Sequence, residues 1–91
     1  MKFKNIVKNY FENLGAEVAS GSKCRGIDLV VIWFKNQFNE IWLVSCKKTK
    51  YVPADEKIQL EMLKNTPANE VYIAYPMNGM IVLGDLNGRR T

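Results

Sequence analysis

The chain has 91 residues, 47% of them apolar, and carries 13 lysines and arginines against nine acids, with no histidine and a net charge of +4. That length predicts one domain over residues 1–91, burying roughly 60–65% of its unfolded surface and folding with little margin. The composition excludes a disordered chain, the missing histidine excludes His-dependent triads and argues against zinc, and no apolar run is long enough to span a membrane.

Phe3, Ile6, Val7, Tyr10, Phe11 and Leu14 recur at helical spacing and predict an amphipathic helix over 3–14. Gly15 stands where a helix commonly ends on a left-handed residue. Lys2 and Lys4 lead straight into this helix rather than into a signal peptide, so the expected location is intracellular and cytoplasmic. Glu17-Val18-Ala19-Ser20 reads as a short strand. The next six residues, Gly21-Ser22-Lys23-Cys24-Arg25-Gly26, are small, polar and basic. Their backbone N–H groups suit a phosphate, but they lack the spacing of a P-loop. Cys24 and Cys46 show neither a pairing pattern nor metal-ligand spacing.

From Gly26 to Lys47, two β-branched apolar runs flank Lys35-Asn36-Gln37-Phe38-Asn39 and predict a hairpin. Antiparallel pairing brings Asp28, at the start of one strand, beside Lys47, at the end of the other. Alternation places Asp28, Val30, Ile32 and Phe34 on one face of the first strand, and Ile41, Leu43, Ser45 and Lys47 on one face of the second. A carboxylate at the edge of so apolar a strand needs an ion pair with Lys47, a hydrogen bond or a metal.

Tyr51-Val52-Pro53 ends this strand, and Pro53 suits the start of a second helix over 54–65. Asp55 and Glu56 complement its N-terminus and Lys64 its C-terminus. Ile58, Met62 and Leu63 form its expected inner face, with Leu60 off that face and Gln59 and Glu61 on the surface. Strands follow at 71–75 and 80–83, joined through Pro76-Met77-Asn78-Gly79 with its Asn-Gly turn signal. The tail from Asp85 to Thr91 reads as loosely ordered. The order is α-β-β-β-α-β-β.

The positive charge is uneven. Residues 1–51 hold nine lysines and arginines against four acids, Glu12, Glu17, Asp28 and Glu40. Lys23 and Arg25 precede the strand of Asp28, and Lys47, Lys48 and Lys50 close the strand beside it. A solvated face kept for solubility would look similar, but clustering at both ends of one site favours an electrostatic footprint for phosphates.

This order of elements, with Asp28 on the second strand and Lys47 ending the third, resembles the restriction-endonuclease-like nucleases. The stretch from Val18 to Val31, with Gly21-Ser22-Lys23-Cys24-Arg25-Gly26-Ile27-Asp28-Leu29-Val30 inside it, resembles the archaeal Holliday junction resolvases. So does Ile41-Trp42-Leu43-Val44-Ser45-Cys46-Lys47, and the likeness covers nearly the whole chain. The resemblance implies an α/β, three-layer core with a mixed central sheet, DNA as the partner and a homodimer. It also implies a Mg²⁺ or Mn²⁺ site with Asp28 and the backbone carbonyl of Cys46 as ligands and Lys47 as the catalytic lysine that positions or activates water.

The chain departs from that pattern at two acids. Ser45 stands where the second metal-binding carboxylate is expected, and Lys4 where the first helix carries a glutamate. One aspartate beside a neutral hydroxyl makes a poor Mg²⁺ site. Glu12, Glu56 and Glu61 are the acids a migrated site would draw on. The expected function is therefore DNA binding on a resolvase-like scaffold with cleavage impaired or lost and no cofactor. Lys4, Lys23, Arg25, Lys47, Lys48 and Lys50 would form its DNA-facing surface. The alternative is a divergent Mg²⁺- or Mn²⁺-dependent endonuclease acting on branched DNA. A weaker third reading is a protein-interaction module on a retired nuclease fold. Trp33, Trp42 and Phe38 fit a dimer interface or the core equally well.

Overall fold

A computed structural model describes residues 2–20, 27–35, 38–49, 51–64 and 69–86. Its elements are α1 (Phe3–Asn13), β1 (Glu17–Ser20), β2 (Leu29–Lys35), β3 (Phe38–Cys46), α2 (Ala54–Lys64), β4 (Asn69–Met77) and β5 (Met80–Gly84). The strands form one sheet in the order β1-β2-β3-β4-β5. β3 and β4 run parallel, joined through α2, and the other three pairs are antiparallel. The protein is thus α/β with a mixed five-stranded sheet.

Local chemistry accounts for most of these boundaries. At the end of α1 the Gly15 N–H donates to the Glu12 carbonyl at 3.0 Å and the Ala16 N–H to the Phe11 carbonyl at 3.1 Å. This is a Schellman closure, and it requires the left-handed φ of +97° that Gly15 adopts. Asn78 and Gly79 both have positive φ, 54° and 75°, as a type I′ turn between β4 and β5 demands. β3 begins earlier than its apolar run suggests, because pairing with β2 continues to Lys35↔Phe38. Lys35, Phe38 and Asn39 of the expected turn thereby belong to the strands, and residues 36–37 lie outside the described residues. β4 likewise outgrows its apolar run. Pairing with β3 extends it back to Asn69 and pairing with β5 carries it on to Met77.

A helix covers each face of the sheet. Val7 and Phe11 of α1 pack with Ala16, Leu29, Val31, Val44 and Ala74, flanked by Trp33 and Trp42. On the other face Leu60 of α2 packs with Leu43, Val71, Ile73 and Tyr75, flanked by Leu63 and Val30.

Three expectations change here. Leu60 is fully buried, whereas Ile58 and Met62 are 61% and 69% exposed, so of the expected inner face of α2 only Leu63 lies against the sheet. Glu56, Leu60 and Leu63 follow helical spacing, and this stripe faces inward because Leu60 fills the space over Val71 and Ile73. On α1, Ile6, Tyr10 and Leu14 are exposed, so its inner stripe narrows to Val7 and Phe11 with Phe3 at its start. Leu86, expected in a loose tail, is buried in the α2-side core; residues 87–91 lie outside the described residues.

Candidate functional site

Ile27 and Leu29 are two positions apart yet belong to opposite cores, Ile27 on the α2 side and Leu29 on the α1 side. Strict alternation would put them on one face, so the regular pleat breaks at Asp28. The Asp28 N–H donates to the Val44 carbonyl at 3.0 Å, and its Oδ2 accepts the Cys46 N–H at 2.7 Å. The carboxylate thus closes the end of β3 with a charge-assisted hydrogen bond.

One residue further, the Lys47 N–H donates to the Ala74 carbonyl at 2.8 Å, carrying the β3–β4 pairing just past the last strand residue. The Lys47 ammonium pairs with Glu56 Oε1, and the two side chains are 22% and 17% exposed. α2 makes this contact possible because Glu56 lies one turn before Leu60 on the helix's inner side. The expected ion pair between Lys47 and Asp28 is therefore replaced by one between Lys47 and Glu56. The backbone N–H of Cys46 serves the aspartate instead.

Asp28 and Lys47 still come together, as walls of one cavity of about 200 Å³ that Phe3, Lys4, Cys46, Lys48 and Pro76 complete. Lys4 reaches it from the first turn of α1, and its Nζ donates to Ser20 Oγ at 3.1 Å. Lys48 is exposed at its rim. Burial, chiefly, and then the Asp28 charge push the Cys46 thiol from 9.0 up to about 12, against the opposing pull of Lys4 and Lys47. The thiol therefore stays protonated near neutral pH and is no nucleophile there.

Of the residues singled out in the sequence, Lys4, Asp28, Cys46, Lys47 and Lys48 converge on this cavity. Lys23, Arg25 and Lys50 lie outside the described residues. Ser45 is fully buried in the sheet, off the cavity lining, and its Oγ has no hydrogen-bond partner among the described residues. Among the three acids weighed as replacements, Glu56 arrives at Lys47, while Glu12 and Glu61 are exposed. Trp33 and Trp42 pack edge-on against Phe11, each with ring centres 6.0 Å from it, so both belong to the α1-side core. Trp42 Nε1 also donates to Glu40 at 2.9 Å; the Phe38 side chain lies outside the described residues. Phe3 and Pro76 are lining residues that sequence reasoning did not single out, and only the fold brings them there.

This donor set suits an anion better than a divalent cation. One Asp28 oxygen is engaged by a backbone N–H, Glu56 is held by Lys47, and Ser45 is neutral and buried. Among the described residues no three side chains of metal-ligating type converge. As arranged, these groups do not fit a Mg²⁺ or Mn²⁺ ion, which demands several hard oxygens in near-octahedral geometry.

Among the described residues no helix is long and apolar enough to cross a membrane. No family model matches the chain and no curated protein matches it.

Proposed function

We propose that this chain is a DNA-binding protein on a resolvase-like nuclease scaffold, with phosphodiester cleavage impaired or lost. The observation that carries the reading is the cavity at the end of β3. Lys4, Lys47 and Lys48 converge there around one carboxylate, and that carboxylate is already bonded to the Cys46 N–H. Lys4 from α1 and the exposed Lys48 after β3 give a phosphate two ammonium donors, beside Lys47, which Glu56 holds. Lys23, Arg25 and Lys50 add positive charge at adjoining points in the sequence. Binding of this kind draws on the DNA backbone, depends steeply on salt and carries little sequence information.

Fluorescence anisotropy with a labelled four-way junction and a matched linear duplex, titrated across salt concentrations, tests the reading. Affinity should fall linearly with salt on a log–log plot. Lys4→Ala and Lys48→Ala should each weaken binding to both DNAs and reduce the slope by about 1. If neither DNA binds even at low salt, the reading fails and the protein-interaction module takes its place.

One observation favours a second reading, the divergent Mg²⁺- or Mn²⁺-dependent endonuclease of branched DNA. Glu56 brings an acid to Lys47 from α2, where the resolvase pattern supplies one from the strand. Junction nicking that requires the metal and disappears in both Asp28→Ala and Glu56→Gln would establish it. Absence of nicking by protein that binds the junction leaves binding alone. The homodimer belongs to the same proposal, and sedimentation velocity reads it directly: a monomer at micromolar concentration excludes it.

A further inference from the structure

A second cavity, of about 240 Å³, adjoins the first and is lined by Lys48, Thr49, Tyr75, Pro76 and Met77. Lys48 and Pro76 wall both cavities, so the two are neighbouring compartments on either side of one ridge. Their chemistry differs. The first gathers three lysines and an aspartate; the second offers an apolar wall from the exposed Pro76 and the half-buried Met77 over the buried Tyr75, and no acid among the described residues lines it. Its polar fringe is spare: Thr49 Oγ1 accepts the Tyr51 N–H at 3.3 Å.

Resting on the DNA-binding reading, we infer that the second cavity is a subsite for the base of an unpaired nucleotide whose phosphate lies in the first. A nucleotide carries its charge on the phosphate and its apolar π-face on the base, and the two compartments repeat that division across Lys48. In an intact duplex each base is stacked and paired, and its face is unavailable. The groove therefore selects a single strand, a flap or a gap over continuous duplex, by base contact that tolerates any sequence.

Three labelled probes of equal length test this by anisotropy: a dodecameric oligodeoxythymidine, an abasic phosphodiester strand of the same charge, and a linear duplex. The wild-type protein should bind the base-bearing strand about five- to tenfold more tightly than the abasic one. Met77→Ala should remove most of that margin while leaving affinity for the abasic strand and the salt slope unchanged. The unchanged abasic binding also confirms that the variant is folded. Lys48→Ala should weaken both strands together. Equal wild-type affinity for the two strands would overturn the subsite and leave phosphate binding standing. Failure to bind any of the three at low salt would instead overturn the DNA-binding reading itself.

Discussion

The two faces of the sheet are held by different means. Under α1, Phe11 meets Trp33 and Trp42 edge to face, and Trp42 in turn meets Tyr72 at 4.8 Å between ring centres. Such aromatic pairs contribute beyond the area they bury. Under α2, Leu60 is the fully buried side chain among the helix's described residues, and the next turn towards the N-terminus contributes Glu56, which pairs with Lys47. One helix is anchored by packing and the other partly by charge. Both helices reach the candidate cavity, α1 by lining it with Phe3 and Lys4 and α2 by holding Lys47 through Glu56.

The largest effect should come from breaking the aromatic anchor. Phe11→Ala should cost about 3–5 kcal/mol, enough to unfold much of a small domain, as read by urea denaturation. Leu60→Ala should cost about 2–4 kcal/mol, and hydrogen exchange should show its loosening concentrated in α2. Equal losses spread over both faces would contradict the contrast.

The charged anchor is sharpened by a double-mutant cycle on Lys47→Met and Glu56→Gln. The partly exposed pair should couple by about 1 kcal/mol. Glu56→Gln should also tighten DNA binding severalfold, because it removes the carboxylate that holds Lys47.

Ser45→Ala tests the polar group buried on the α2 side. Its hydroxyl is fully buried without a partner among the described residues, and an unmet buried hydroxyl costs about 1–3 kcal/mol. Removing it should leave stability unchanged or raise it by up to about 1 kcal/mol, read as an upward shift of the melting temperature. A large loss would mean the hydroxyl has a partner that matters.

The smallest effect concerns Cys46. Its folded-state pKa is raised, so the stability it contributes is full below pH 9.0, the value for an unperturbed thiol, and is lost as pH climbs towards about 12. Stability measured between pH 8 and 10 should therefore decline less steeply in Cys46→Val than in the parent. In a Cys24→Ser background, alkylation of Cys46 at pH 8 should run at least about tenfold slower than that of a free thiol.

Much of this contrast was legible in the sequence, and the part that was not has a physical reason. α1 announced itself because its stripe ends on Gly15, whose left-handed conformation closes the helix. The β2–β3 hairpin followed from two β-branched runs, and its antiparallel register placed Asp28 near Lys47 as the pairing required. The inner face of α2 was misread at Ile58 and Met62, which outweigh Leu60 in apolar count, while Leu63 faces inward as expected. What orients the helix is the space over Val71 and Ile73 that Leu60 alone fills, and no local pattern records that space. The same rotation delivers Glu56 to Lys47, so the identity of the lysine's partner was hidden with it. The break in alternation at Asp28, which turns its carboxylate onto the Cys46 N–H, is likewise a tertiary feature. It separates Ile27 from Leu29 across the sheet and leaves no mark in an apolar run.

The measurement that bears most directly on the central claim is the affinity of Asp28→Asn for a labelled four-way junction, compared with the parent protein in the presence of Mg²⁺. If the cavity holds a phosphate through its lysines and Asp28 serves to close the end of β3, the asparagine oxygen still accepts the Cys46 N–H. One negative charge then leaves the cavity, and the variant binds as tightly as the parent or more so. Weaker binding by a folded Asp28→Asn protein, with loss of metal-dependent nicking, would show that the carboxylate takes part in engaging DNA and would contradict the account.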